Sequence, residues 1–216
     1  MELARKAKYV ILFIIIHMCF YTLLQHAFPN SEYSFYSSLD ELIPFIPDFI
    51  WIYHTLIPAI VFTTIVLLRK KTCFFTAYTA CLFASASLFT FYILFPAHYP
   101  RGGLIEEITI SEWLVNWTRI LDKANNTFPS SHVTFSWLMF LSVVNCKTLK
   151  SHKIIKSFYL IWALTIAVST LVLKQHFIVD VASGIILASL SYHFGAKIVE
   201  NHQKKYPDKW KSNENI

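Results

Sequence analysis

Residues 72–95 read TCFFTAYTACLFASASLFTFYILF, twenty-four positions without one charged side chain. Arg69, Lys70 and Lys71 stand before the stretch, and Pro96 follows it. A run of about 20 apolar residues is long enough to cross a hydrocarbon core of about 30 Å as a helix. A helix of a soluble bundle needs a polar face that recurs every three or four residues, whereas this run is apolar all round. Working outward, comparable runs lie near 8–28, 48–68, 129–146, 154–173 and 177–197. The pattern predicts an all-α, polytopic membrane bundle of about six transmembrane helices.

The composition agrees. Hydrophobic residues make up 55% of the 216-residue chain and charged residues 15%, against roughly 25% charged in soluble domains. Only 4 Gly argue against a barrel or a turn-rich sheet. The chain reads as one membrane domain, 1–216, with its chemistry in about 70–197 and a basic tail over 198–216. Cys19, Cys73, Cys81 and Cys146 fall inside or at the ends of apolar runs with no Cys-x-x-Cys spacing. They read as small buried apolar residues, neither a disulfide frame nor a zinc site. The amino end, with Arg5, Lys6 and Lys8 before a long apolar run, reads as a retained first span, since a signal peptide has a shorter apolar core.

A net charge of +6 raises the question of nucleic acid, and the distribution of charge answers it. The connections alternate, so that 15 of the 19 Lys and Arg fall on one side of the predicted bundle. Arg101, Arg119, Lys123 and Lys174 fall on the other, among the acids Glu32, Asp40, Glu41, Asp48, Glu106, Glu107, Glu112 and Asp122. Positive loops stay cytoplasmic, which predicts both termini inside and no nucleic-acid partner, and the short loops, with no targeting signal read in the chain, suggest residence in a bacterial inner membrane. The stretch Ile108–Leu121, with Trp113 and Trp117 one turn apart, suits a short amphipathic helix at headgroup level.

Polar clusters collect at the outer ends of the spans: Phe95–Arg101, Asn125–His132 and Ser169–Asp180. Ionisable groups at membrane depth are costly and mark functional sites. His176 and Asp180, four apart, share a helix face. A carboxylate there fixes one imidazole nitrogen and leaves the other free as a nucleophile. By themselves the two residues equally suit a structural pair that caps a helix. Pro129, Ser130 and Ser131 carry helix-start signals before His132, and a helix start also favours a bound phosphate. Arg101 and Lys174 add positive charge. For Lys174 the alternative is a side chain that reaches the interface.

These residues resemble the type-2 phosphatidate phosphatase superfamily of histidine-nucleophile phosphatases and phosphotransferases. Its second motif, Pro-Ser-Gly-His, appears as Pro129-Ser130-Ser131-His132. Its third, Ser-Arg, five residues, His, three residues, Asp, appears as Ser169-Thr170, five residues, His176, three residues, Asp180. The first motif is altered, with Leu94 where a Lys is expected and Pro100 before Arg101. Ser131 replaces Gly and Thr170 replaces Arg. The stretch Leu121–His132 with Trp137 is similar to the inositol-phosphoceramide-synthase-like branch. The resemblance covers roughly 70–197.

The resemblance implies a lipid phosphate substrate and a site that uses neither metal nor cofactor, facing the periplasm. It implies that His176 attacks phosphorus, that Asp180 holds it, and that His132 serves as general acid and then base. Arg101, Ser130, Ser131, Lys174 and Ser169 are implied to bind the phosphoryl oxygens. Hydrolysis of a lipid phosphate is the first expectation. Transfer of the headgroup to an alcohol is the second, and a lipid-binding protein without turnover the third.

Overall fold

The computed structural model of the chain describes residues 2–28, 33–149 and 151–210. Glu32, Lys150, Lys211 and the last residues of the expected basic tail lie outside that set. The described residues form helices, with no strand and two isolated bridges, Tyr33 with Ala97 and His98 with Asn125. In chain order the α-helices are α1 (Glu2–Ala27), α2 (Ser38–Glu41), α3 (Ile50–Tyr53), α4 (Leu56–Leu68), α5 (Lys71–Leu94), α6 (Ile110–Leu121), α7 (Ser131–Val144), α8 (Lys153–Val172) and α9 (Ile178–Lys205).

Five stretches have the length and apolar character to cross a membrane: Leu3–Ala27, Pro47–Leu68, Lys71–Leu94, Lys153–Val172 and Ile178–Lys205. The protein is a multi-pass membrane protein of all-helical architecture. The remaining expected span, 129–146, corresponds to α7, whose 14 residues rise only about 21 Å. This helix is enclosed by α4, α5, α8 and α9, and Val133, Thr134, Phe135, Ser136, Leu138 and Met139 are buried. Non-helical backbone at its ends is tolerated at membrane depth because protein surrounds it.

The second stretch is broken between α3 and α4. Pro58 lacks the N–H that would reach the His54 carbonyl four residues earlier, and its ring crowds that carbonyl. The Thr55 hydroxyl at the break accepts from the Trp162 indole at 2.9 Å and donates to the Ile52 carbonyl at 2.6 Å.

Lipid tails are as apolar as leucine, so helices in a membrane associate by close packing more than by hydrophobic transfer. The α5–α9 contact shows the device. Ala188, Ser191 and Gly195 are the small residues of α9 there, and Ala77, Ala80 and Ala84 those of α5. A Cβ on Gly195 would come within 2.8 Å of the Ala80 backbone nitrogen. A bulkier residue there must push the two backbones apart.

The two ends of the bundle differ. At one end the Lys6 ammonium reaches the Leu68 carbonyl at 2.8 Å and Lys71 reaches the Lys209 carbonyl. Here too Cys73 and Cys146 form a disulfide, with Cα atoms 5.4 Å apart. The sequence reading of these two cysteines as unbridged apolar residues is therefore corrected. They are 73 positions apart and meet only because the start of α5 packs beside the end of α7. Disulfides are rare on cytosolic faces, whereas basic loops favour them, so cystine and charge point to opposite orientations for this end. α9 continues through Lys205, carrying helix into the expected tail.

At the other end the loops are tied to one another. The Ile46 amide donates to Val172, His98 to Tyr33 and Thr127 to Ala97, all by backbone. α6 lies across this end with Val115, Asn116 and Thr118 buried and Ile110, Trp113, Trp117, Ile120 and Leu121 exposed. Thr109 and Glu112 form its capping box.

Candidate active site

The starts of α7 and α9 are joined at this second end. The Ser130 amide donates to the Asp180 carbonyl at 3.1 Å. The Thr134 hydroxyl bridges the Ser130 and Gly184 carbonyls at 2.7 and 3.3 Å. The two predicted motifs, some 50 residues apart (Thr134 to Gly184) in the chain, therefore share a backbone seam.

His176 stands on a turn that α8 builds as it ends. The Gln175 amide donates to the Thr170 carbonyl at 2.9 Å and the Lys174 amide to Leu171 at 3.0 Å. This is the paired pattern of a Schellman motif, which places one residue in left-handed conformation, usually glycine. Here that residue is Lys174, with φ 56°. Its ammonium donates to the Asp40 carbonyl at 3.1 Å and also to the Ile43 carbonyl. The side chain clips the 40–43 segment against the turn. The structure thus directs the predicted phosphate ligand Lys174 onto loop carbonyls.

The start of α9 is held by two carboxylates. Asp180 Oδ2 accepts from the Phe177 amide at 2.9 Å, and Asp40 Oδ1 accepts from the Ile178 amide at 2.8 Å. The same Asp180 oxygen lies 3.4 Å from His176 Nδ1. The carboxylate therefore faces Nδ1, with Nε2 on the far side of the ring. Asp40 was not a sequence candidate. An acid in the short α2 carries no signal that it will cap a helix 138 residues away. Replacing Asp40 by Ala removes the cap and the Ser37 contacts at 2.9 and 2.7 Å. We expect a loss of about 1–2 kcal/mol together with reduced turnover. Asp40→Asn, which retains an acceptor, should keep most of both. Equal melting temperatures and rates for wild type and Asp40→Ala would refute this cap.

His132 stacks on Tyr53, ring centroids 4.1 Å apart, and the Tyr53 hydroxyl is 3.4 Å from His132 Nδ1. Tyr53 lies at the end of α3 and was also not anticipated; inside an apolar run it looks like any span aromatic. His54 accepts or donates to Thr118 at 2.9 Å, as a packed histidine would.

Arg101 donates through Nη1 to the Asp122 carbonyl at 2.6 Å, and its Nη2 stands 4.0 Å from the Asp122 carboxylate. That carboxylate accepts from Tyr21 at 2.9 Å and from Gln25, tying the loop to α1. Asn126, at φ 58°, turns the chain toward α7, and Asn125 reaches the Gln25 and Phe28 carbonyls. Tyr99 stacks on Phe177 at 4.3 Å. Its hydroxyl pKa is raised first by burial and then by Asp40, while Arg101 pulls it down; Asp180 and Arg119 act on it as well. One ring thus senses the acids of the α9 start and both arginines.

Of the serines, Ser130 caps α7, accepting from the Val133 amide at 3.4 Å, and Ser131 is buried beside it. Ser169 donates to the Ile166 carbonyl at 2.7 Å, and Thr170 is tied back in the same way to Ala167 at 2.8 Å. The structure gathers His176, Asp180, His132, Arg101, Ser130 and Ser131 at one end of the bundle. Ser169 lies just below, its hydroxyl held by its own helix.

Among the described residues, the buried side-chain polar atoms without a hydrogen-bond partner concentrate here: His98 Nδ1, Arg101 Nε, Arg119 Nε, Asn126 Oδ1, Thr127 Oγ1, Gln175 Oε1, His176 Nδ1 and Asp180 Oδ1. Each such group costs about 1–3 kcal/mol. Natural folds carry few, and a cluster of them signals a catalytic role or a bound polar species. The arginine Nε donors in the set, beside the start of α7, suit an oxyanion. No group of three or more His, Cys, Asp or Glu with metal-binding geometry occurs among the described residues.

No curated protein and no solved structure matches the chain significantly. Comparison with known families matches residues 43–194, from the segment before α3 through most of α9, to the PAP2 superfamily. With most of its length matched, and with Pro129–His132 and Ser169–Asp180 inside the matched span, the chain belongs to the PAP2 superfamily.

Proposed function

We propose that the protein hydrolyses a phosphomonoester or diphosphate of a lipid through a phosphohistidine. Family membership supports phosphatase-type action on lipid phosphates in general. The observation that carries the finer reading is the position of Asp180 Oδ2, 3.4 Å from His176 Nδ1, on a helix start locked to the Ser130 amide at 3.1 Å. A carboxylate facing Nδ1 retains its proton and leaves the Nε2 lone pair free to attack phosphorus.

In the first step the Nε2–phosphorus bond forms as the bond to the lipid oxygen breaks, and His132 gives its proton to that oxygen. In the second, water attacks phosphorus while His132 takes its proton, and the nitrogen–phosphorus bond breaks to release phosphate. Tyr53 against His132 Nδ1 orients the ring so that Nε2 carries the transferred proton. Such acid–base help contributes on the order of 10² to 10⁴-fold in rate. Arg101, the α7 start and the Ser130 and Ser131 region offset charge in the transition state. The exposed apolar side chains of α6 suit insertion at headgroup level beside the site. By the distribution of basic loops the site faces the exterior of an inner membrane.

The test is phosphate release from prenyl and glycerolipid phosphates in sealed vesicles of both orientations, with and without added alcohols. Free phosphate, formed from substrate presented to the face opposite the basic end, is the expected result. Phosphate appearing on the alcohol in place of water would assign transfer, and release only at the basic face would invert the orientation.

A further inference from the structure

Arg119 belongs to none of the motifs, yet it sits in the last turn of α6, beside the contact made by Arg101. Its Nη1 donates to the Gly103 carbonyl at 2.7 Å, while Arg101 Nη1 donates to the Asp122 carbonyl at 2.6 Å. The two ends of the 101–122 segment thus exchange guanidinium contacts, and both cations stand at the neck of the loop. Each keeps its Nε buried and without a partner. Phe45 faces the Arg119 guanidinium at 5.5 Å.

Like charges so placed repel. The Arg119 pKa is lowered first by burial and then by Arg101. Among the described residues no ion pair joins Arg119 to a carboxylate. The nearby Asp122 lies 4.0 Å from Arg101 Nη2, and its other oxygen accepts from Tyr21 and Gln25. Two planar guanidiniums with free Nε donors match an anion that carries more charge than one phosphate monoester, because each grips two oxygens at once. Arg101 is also tied to the turn that carries His176: its amide donates to the Tyr99 carbonyl at 2.7 Å, and Tyr99 stacks on Phe177 at 4.3 Å.

We infer that Arg119 and Arg101 form a second anion subsite next to the reacting phosphoryl position, one that holds the non-reacting phosphate of a lipid bearing two phosphate groups. The inference rests on the phosphatase reading for its substrate and on the two-arginine neck for its geometry.

Two readouts test it on the full chain in lipid nanodiscs. The first is calorimetric binding of inorganic pyrophosphate and inorganic phosphate. The second is turnover of a prenyl diphosphate and its monophosphate of equal chain length. A charged, two-point contact contributes about 10-fold or more in affinity. Wild type should prefer pyrophosphate and the diphosphate by about that factor. Arg119→Gln should lose the preference while phosphate binding and monophosphate turnover stay within about threefold, and Arg119→Lys should keep part of it. Equal losses on both ligands in Arg119→Gln, or none on either, overturn the subsite. Wild-type protein that turns over neither lipid yet shows a pyrophosphate preference lost in Arg119→Gln overturns the phosphatase reading and upholds the subsite.

Discussion

Purified His176→Ala protein is expected to release phosphate at a rate lower by on the order of 10⁴-fold or more, the scale on which loss of a covalent nucleophile acts. It should also fail to take up labelled phosphate from a lipid donor, whereas wild type quenched in alkali should carry an acid-labile label. The fold should survive. His176 is 7% exposed, but its backbone contact to Thr170 at 3.2 Å does not depend on the side chain, and the Asp180 Oδ2 that lies 3.4 Å from its Nδ1 is still held by the Phe177 amide at 2.9 Å when the ring is gone. Removing the ring relieves a buried polar atom at the expense of a small cavity. Melting temperature should therefore change little while chemistry is lost. Asp180→Asn makes a useful contrast, because it retains an acceptor for the Phe177 amide yet weakens the hold on His176. Rates within tenfold of wild type in His176→Ala would remove the nucleophile assignment, and with it the phosphohistidine. They would leave the family and the bundle intact. Persistent labelling in His176→Ala would move the nucleophile to His132.

The fold was legible where the signal is one-dimensional. Apolar length alone located 72–95, 154–173 and the start of the last span within a residue or two of α5, α8 and α9. It misjudged what surrounds a helix. The residues of α7 are as apolar as those of a span, and only the packing of four neighbours shows why 14 residues suffice. The motif residues were readable because their spacing along α9 and at the start of α7 is local. Their supports were not. Asp40, Tyr53, Tyr21, Gln25 and Arg119 act through contacts that close loops of dozens of residues, and each has an ordinary structural role in its own segment. Lys174 illustrates the converse. Its proximity in sequence to His176 suggested a phosphate ligand, but the left-handed turn at φ 56° sends its ammonium toward Asp40 and Ile43. The Cys73–Cys146 bridge escaped for the same reason as Asp40, since nothing in either helix announces the other.

The seam between the motifs supplies the second large effect. A Cβ on Gly184 would lie 2.9 Å from the Ser130 carbonyl oxygen, 3.1 Å from Val133 Cβ and 3.3 Å from Thr134 Oγ1. The first of these is backbone and cannot swing away, so Gly184→Ala must push the start of α7 and α9 apart by a few tenths of an ångström. The same displacement strains the Ser130 amide bond to the Asp180 carbonyl, 3.1 Å long, and carries His132 away from His176. Misplacement of a catalytic group by about 1 Å costs on the order of 10²-fold in rate. A loss of roughly 10-fold to 10²-fold in kcat is therefore expected, in a protein that still inserts and folds. Gly195→Ala is the control. Its added carbon meets the Ala80 backbone nitrogen at 2.8 Å, a clash at least as severe but farther along α9 from the site. Overpacking of that kind costs typically 1–3 kcal/mol, so Gly195→Ala should lower the melting temperature more than it lowers kcat. Gly184→Ala should do the reverse. The pair separates a site assembled by the α7–α9 seam from one that merely depends on a stable bundle. If both variants lose activity in proportion to stability, the seam has no special part in catalysis, because strain at either end of α9 would then act only through the population of folded protein.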